Sequence, residues 1–168
     1  MPASLELVRI ALQAYGNKDC EIALALADPL IRWDERASRP DGELVWKHDQ
    51  VQRAMRRYLD SWQEYYFDLE DIAEVSPGKV VGICRERGLD EQGVAVDRRF
   101  GGLWVVELGK IVSWSTYLTP KEAVRAAREL GGGGRFVPEK GVADAPSRKQ
   151  KKRAAKARAK LQREAARS

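Results

Sequence analysis

Four strand-like runs in succession, with joints too short to hold a crossover helix, constrain this chain more than any other feature of its sequence. YFDLEDIAEV, KVVGICRERG, VAVDRRFGGLWVVEL and KIVSWSTYL follow one another from Tyr66 to Leu118, broken by Pro77-Gly78, Asp90 to Gly93 and Gly109. Consecutive strands so closely joined pair antiparallel, because a parallel partner needs a crossover of a dozen residues or more. In LWVVEL and IVSWSTYL both alternating sets are large and apolar: Leu103, Val105 and Trp114 against Trp104, Val106 and Ile111. A sheet apolar on both sides needs cover on both. Helices can supply one cover, and a second subunit is the simplest source of the other.

Helical patterns flank the strands. Leu5, Val8, Leu12 and Tyr15 predict a first helix from about Ser4, a good N-cap, to Tyr15, stopped by Gly16-Asn17. Asp19 can cap a short second helix, CEIALALA, ending at Asp28-Pro29. Leu30 to Asp34 (LIRWD) is a short strand candidate, followed by a polar loop through Gly42. The third and longest expected helix starts at an Asp49 cap. It carries Val51, Met55, Tyr58, Leu59 and Trp62 on one stripe, with Arg53, Arg56, Arg57 and Asp60 opposite. Thr119-Pro120-Lys121-Glu122 is a capping box with proline at the first helical position, and it opens a terminal helix through Leu130. The expected architecture is α+β, with helices set against a curved antiparallel sheet.

Organisation follows from the composition along the chain. Residues 1–130 form the expected domain, the glycine-rich stretch 131–147 a linker, and 148–168 a basic low-complexity tail, disordered or nascent helix when unbound. Residues 146–168 hold ten Lys/Arg against Glu164, a charge of +9, which leaves about −4 for residues 1–145 of the whole chain's +5. Two cysteines, Cys20 and Cys84, and the single His48 exclude a disulfide scaffold and leave a zinc site short of ligands. No apolar run approaches the roughly 20 residues of a membrane span, and Glu6 and Arg9 make the N-terminus read as helix and not as a signal peptide. A reduced, cytoplasmic setting is expected.

Taken in order, AYGNKD, LADPLIRWDE, VQRAMRRYLDSW and FGGLWVVELGKIVSWSTYLTPKEAV resemble the SnoaL-like branch of the NTF2-like (nuclear-transport-factor-2-like) superfamily, over about Leu5 to Leu130. The resemblance implies a cone-shaped α+β fold, a pocket between the concave sheet and the helices, commonly a homodimer, and no cofactor. It also implies that an acid at the end of LIRWD, Asp34, stands where ketosteroid isomerases hold their general base. A carboxylate at the mouth of an apolar cone has a raised proton affinity and can shuttle a proton. The alternative is that Asp34, followed by Glu35 and Arg36, is a solvated loop acid. The isomerases' oxyanion-donating tyrosine on helix one is replaced here by Ile10, Ala11 and Leu12. The histidine or acid that many relatives carry in the penultimate strand is replaced by Phe100-Gly101-Gly102-Leu103. A base without an electrophilic partner makes a weak enolisation site.

Other candidates carry less chemistry. His48 reads as a surface residue at a helix entrance, and Cys84 as a buried, inert thiol whose thiolate Glu86 would disfavour. Arg85, Glu86, Arg87, Asp97, Arg98 and Arg99 alternate in sign on adjoining strands. Cross-strand ion pairs account for them most cheaply, but an inward Glu86 or Arg98 could orient a polar ligand. Tyr15, Trp33, Tyr58, Trp62, Trp104 and Trp114 complete the expected wall of a pocket for a small apolar or amphipathic molecule. In the tail, Arg148, Lys149, Lys151, Lys152, Arg153, Lys156, Arg158 and Lys160 can displace counterions from nucleic acid or another polyanion. With no aromatic residue there for base stacking, the alternative is a solubilising end.

Overall fold

The computed structural model describes residues 3–131 and, beyond them, Lys152, Lys156, Lys160 and Arg163. The linker expected after Gly131, and Arg148, Lys149, Lys151, Arg153 and Arg158, lie outside the described residues.

Helix α1 (Ala3–Gly16) buries Val8, Ala11, Leu12, Ala14 and Tyr15. Asp19 caps α2 (Cys20–Ala23), its Oδ1 accepting from the Ile22 amide at 3.1 Å. This helix is far shorter than expected, because strand β1 (Ala27–Ala37) begins before Pro29. Proline is tolerated there because the pairing of β1 is irregular between Ala27 and Arg32, so no ladder hydrogen bond is demanded of residue 29. Strand β2 (Leu44–Trp46), too short to leave a pattern in the sequence, pairs antiparallel with β1.

Helix α3 (His48–Asp60) starts without a side-chain cap: Lys47 precedes it at φ 77°, and Asp49 sits inside its first turn. At 13 residues it is marginally shorter than the 14-residue α1, and Trp62 lies beyond its end. Strands β3 (Glu64–Ser76), β4 (Lys79–Leu89), β5 (Ala95–Glu107) and β6 (Lys110–Tyr117) form the expected antiparallel run, and α4 (Pro120–Gly131) follows. Thr119 Oγ1 accepts from the Glu122 amide at 3.3 Å, as the capping box requires. The six strands form one curved sheet in the order β2-β1-β6-β5-β4-β3, with β1 parallel to β6.

The main core lies between the inner face of the sheet and α1, α2 and α3. It joins Val8, Leu12 and Tyr15 to Met55 and Leu59, and these to Ile31, Trp33, Trp104 and Trp114. Trp114 belongs to this face, not with Leu103. Val105 pairs with Ser113 and Val106 with Ile111, so Val112 is an extra, bulged residue. The bulge shifts the alternation and brings Ile111 and Trp114, three apart, onto one side.

On the outer face Val81 and Leu103 pack against Ala123 and Ala127 of α4. The second cover expected from another subunit is therefore supplied over these residues by the chain's own terminal helix. Gly101 permits the close approach: a Cβ there would stand 2.6 Å from the Thr119 carbonyl oxygen and 2.9 Å from Ala123 Cβ. The rest of the outer face of β3–β5 carries the ion pairs Arg85–Asp97, Arg87–Asp68 and Arg99–Glu70, at 2.6, 2.7 and 3.0 Å.

Candidate functional site

Strand alternation sends two glutamates into the cone. On β4, Arg85 and Arg87 face out and Glu86, 2% exposed, faces in. Its Oε1 accepts from Tyr58 Oη at 2.7 Å and from Arg98 Nε and Nη2 at 3.0 and 2.6 Å, and its Oε2 accepts from Tyr65 Oη at 3.1 Å. Arg98 is the cross-strand partner of Glu86, so register alone brings the pair together. The Arg98 Nη1 also donates to the Ser38 carbonyl at 2.7 Å, and its guanidinium lies over the Phe100 ring. A buried carboxylate matched by a guanidinium and two phenols is satisfied, and removing any one partner leaves charge or donors stranded.

Glu35, 3% exposed, is the second inward acid. Its Oε2 accepts from the Thr116 hydroxyl and from Ser38 Oγ at 3.1 Å, while Arg39 Nε stands 3.8 Å away. Arg39 stacks on Tyr58, its Cζ 3.9 Å from the ring centroid, and so ties the two acids into one cluster. Burial pushes the Glu35 carboxyl above the ordinary glutamate range, and the nearby Glu86 charge adds to the rise against the pull of Arg39, Thr116 and Arg98. Burial likewise raises the Tyr15, Tyr58 and Tyr65 hydroxyls, so all three stay protonated as donors.

Both glutamates line a hollow at the centre of the cone with Tyr15, Tyr58, Arg98, Trp104, Trp114 and Thr116. Its volume is about 10 Å³, room for about one water molecule. The apolar pocket expected from the sequence is therefore largely filled, and its remaining wall mixes aromatic rings with the polar groups of Glu35, Glu86, Arg98 and Thr116. The filling comes from Trp104. Its six-membered ring lies over Gly102 and Gly82, which face each other across β4 and β5; a Cβ on Gly82 would stand 2.9 Å from Cζ3, and one on Gly102 would overlap the ring. Trp114 meets it edge-on at a centroid distance of 6.0 Å, and Tyr15 in turn lies tilted against Trp114 at 5.4 Å. The glycines that read as a gap in the chemistry of β5 thus make room for an indole on one face and for α4 on the other.

Asp34 does not reach this hollow. Trp33 pairs with Trp114 on the inner face, and the next residue turns outward, where Arg32 Nη2 and Arg36 Nε donate to Asp34 at 2.6 and 3.1 Å. Burial pushes its carboxyl up, but the hydrogen bonds from Arg36 and the charge of Arg32 outweigh that and hold it below the ordinary aspartate range. The inward acid is its neighbour, one residue on. Ile31 and Trp33 are large, apolar and two apart, and continuing their alternation points to Glu35; the signal was in the sequence.

Of the eight residues expected to line a pocket, Tyr15, Tyr58, Glu86, Arg98, Trp104 and Trp114 do line the hollow. Trp33 is fully buried in the core behind it, and Trp62 packs edge-on against Tyr58 and Tyr65 outside it. Cys84 is buried on the hollow's wall, its thiol pushed up by burial and by Glu35 and Glu86. His48 is not a plain surface residue: its Nε2 donates to the Leu24 carbonyl at 2.8 Å and ties the α2–β1 link to α3. Thr116, Phe67 and Tyr65 have no motif that marks them; only the register of β3 and β6 brings them inward. Among the described residues, no cluster of three or more His, Cys, Asp or Glu is placed to hold a metal, and no helix is long and apolar enough to cross a membrane.

No protein-family model matches the sequence, and no curated protein does. Solved structures do. An NTF2-like protein of unknown function from Burkholderia pseudomallei is 22% identical with a TM-score of 0.62, over 74% of this chain and 97% of that one. An NTF2-like protein from Burkholderia thailandensis is 25% identical with a TM-score of 0.64, over 76% and 98%. A Mycobacterium tuberculosis protein in complex with estradiol-17β-hemisuccinate is 16% identical with a TM-score of 0.59, over 70% and 94%. The chain has the NTF2-like fold.

Proposed function

We propose that the cone is a small-molecule site of the SnoaL-like kind, in which Glu35 carries a proton and the Glu86–Arg98 pair orients the polar end of the guest. Glu35 itself carries the reading: a nearly inaccessible carboxyl on the wall of the hollow, held by two hydroxyls, its proton affinity raised by burial. A carboxyl tuned toward neutral pH is what cofactor-free proton transfer needs, in an isomerase, cyclase, dehydratase or hydrolase type of reaction. Tyr58, Tyr65 and Arg98 donate to Glu86 at the wall of the hollow, and a guest that takes over one of these donors would gain the electrophilic partner missing from α1. The steroid ester bound by the Mycobacterium tuberculosis neighbour supports a ligand of apolar body and polar end. Because the hollow holds about one water, the guest must displace side chains to enter.

The test is a panel of steroids, phenols and cyclic ketones screened against wild type, Glu35→Gln and Asp34→Asn. A ligand that raises the melting temperature of all three, but is turned over at least about 100-fold more slowly by Glu35→Gln alone, supports the proposal. Equal turnover in Glu35→Gln overturns it. A stabilising ligand that wild type returns unaltered makes the domain a non-catalytic binding module.

A second reading belongs to the tail. Residues 146–168 hold ten Lys/Arg against one acid, and of these Lys152, Lys156, Lys160 and Arg163 are helical and exposed. Such a density of positive charge suits the phosphate backbone of a nucleic acid. Deleting residues 146–168 is expected to abolish salt-sensitive retention on DNA or RNA, and retention that survives the deletion overturns this reading.

A further inference from the structure

A second space lies outside the central hollow. A groove of about 320 Å³ lies between the C-terminal end of α1 and β3, lined by Leu12, Gln13, Gly16, Asn17, Phe67 and Leu69. That volume is in the range of small-molecule sites, about 300–1,000 Å³. Two of its residues, Leu12 and Phe67, also line the central hollow, so the two spaces share a wall to which both side chains contribute. Leu12 is buried, but Phe67 is only partly buried, on β3 at the edge of the sheet. It packs edge-on against Tyr15 at 5.6 Å and tilted to Phe100 at 6.5 Å. Phe67 is also the cross-strand partner of Glu86.

We propose that the α1–β3 groove is the outer half of the ligand site, and that Phe67 is the door between it and the hollow. The inference rests on the reading of the cone as a small-molecule site and adds its access route and ligand class. A swing of the Phe67 ring merges the two spaces and leads past Leu12 toward Glu86 and Glu35. The lining carries no ionisable side chain: Leu12, Phe67 and Leu69 give it an apolar inner end, while polar groups, with the exposed amides of Gln13 and Asn17 among them, make up the larger part of its open wall. Behind the door Glu86 is already matched by Arg98. An added charge would be buried without a counter-ion, at a prohibitive cost. The occupant is therefore an uncharged molecule with a flat, apolar body and a single hydroxyl or carbonyl at its leading end.

Gly16 sets how freely the door moves. A Cβ there would stand 3.2 Å from Phe67 Cδ1 and 3.3 Å from Phe67 Cβ, tight contacts that would wedge the ring in its closed position. The probe is 2-naphthol, followed by chemical-shift mapping on the full chain and by tryptophan fluorescence from the Trp104–Trp114 pair. In wild type, shifts are expected at Leu12, Gly16, Phe67 and Leu69. Gly16→Ala is expected to slow association at least tenfold, and Phe67→Leu, a milder cut than alanine, to speed it by a similar factor. Shifts confined to Tyr58, Trp62 and Arg98, with Gly16→Ala binding like wild type, overturn the side door and leave the Glu35 reading standing. Groove shifts that persist with turnover unaffected by Glu35→Gln support the door and sink the Glu35 reading. The absence of shifts in both wild type and Phe67→Leu at millimolar 2-naphthol overturns the proposal.

Discussion

Trp104 lies across Gly102, two residues before it on the same strand, with its ring in the space that a side chain at 102 would fill. The indole can fold down onto the sheet only because Gly102 and its cross-strand partner Gly82 are bare. This contact sets the size of the hollow, and through it what the cone can admit.

Gly102→Ala is expected to destabilise the domain by about 1–3 kcal/mol, the usual cost of overpacking a well-filled core. Paired with Trp104→Leu, the loss should be smaller than the sum of the two single losses, because the clash disappears with the ring. Thermal melts of the four proteins in the cycle measure this. Additive losses would mean that Trp104 does not rest on Gly102.

Arg98→Met strands Glu86 with two phenols and no counter-charge. Breaking such a buried pair costs about 3–5 kcal/mol, whereas replacing both partners is much milder. Glu86→Gln combined with Arg98→Met is thus expected to recover most of the stability lost in Arg98→Met, as read by urea denaturation. A double variant as unstable as the single one would contradict the pairing.

The raised Glu35 carboxyl makes stability depend on pH with a definite sign. A group whose affinity for the proton is higher folded than unfolded stabilises the fold fully below its unfolded pKa, and that contribution is lost as pH rises through the folded value. The window therefore opens at the ordinary glutamate value of 4.5 and extends upward. Glu35→Gln removes the cost of ionising a buried acid, so its melting temperature relative to wild type should rise between pH 4 and pH 8. A flat difference would place Glu35 in a solvated setting, and a falling one would mean that Arg39 holds it as the anion.

Asp34→Asn serves as the contrast. The Asp34 carboxylate is held on the outer face, largely shielded from solvent, by Arg32 and Arg36, so the substitution, which keeps one acceptor oxygen, should cost about 1–3 kcal/mol and leave ligand-induced stabilisation unchanged. Loss of the ligand response in Asp34→Asn, with the response kept in Glu35→Gln, would reverse the assignment of the two acids.

Much of the fold was legible because it rests on local rules. The capping box at Thr119 starts α4, Pro77-Gly78 and Gly109 turn the hairpins, and the stripe of Val51, Met55 and Leu59 finds the buried side of α3. Failures came where one residue changes a phase or where pairing replaces pattern. A bulge at Val112 moves Trp114 to the other face, and the three residues of β2 form a strand only because β1 offers an edge. The alternation through Ile31 and Trp33 points inward at Glu35, whereas the position implied by the family resemblance falls one residue earlier, on Asp34.

The order of helices and strands apart from β2, the antiparallel run and the capped terminal helix were written in the sequence, because turn chemistry, capping and apolar periodicity act within a few residues of chain. That Glu86 meets Arg98, Tyr58 and Tyr65, that Asp34 turns out to Arg32 and Arg36, and that Trp104 closes the hollow over two glycines came only with the folded sheet. These contacts join residues brought together by strand register across the sheet, and in a period-two structure a shift of one residue sends a side chain to the opposite face.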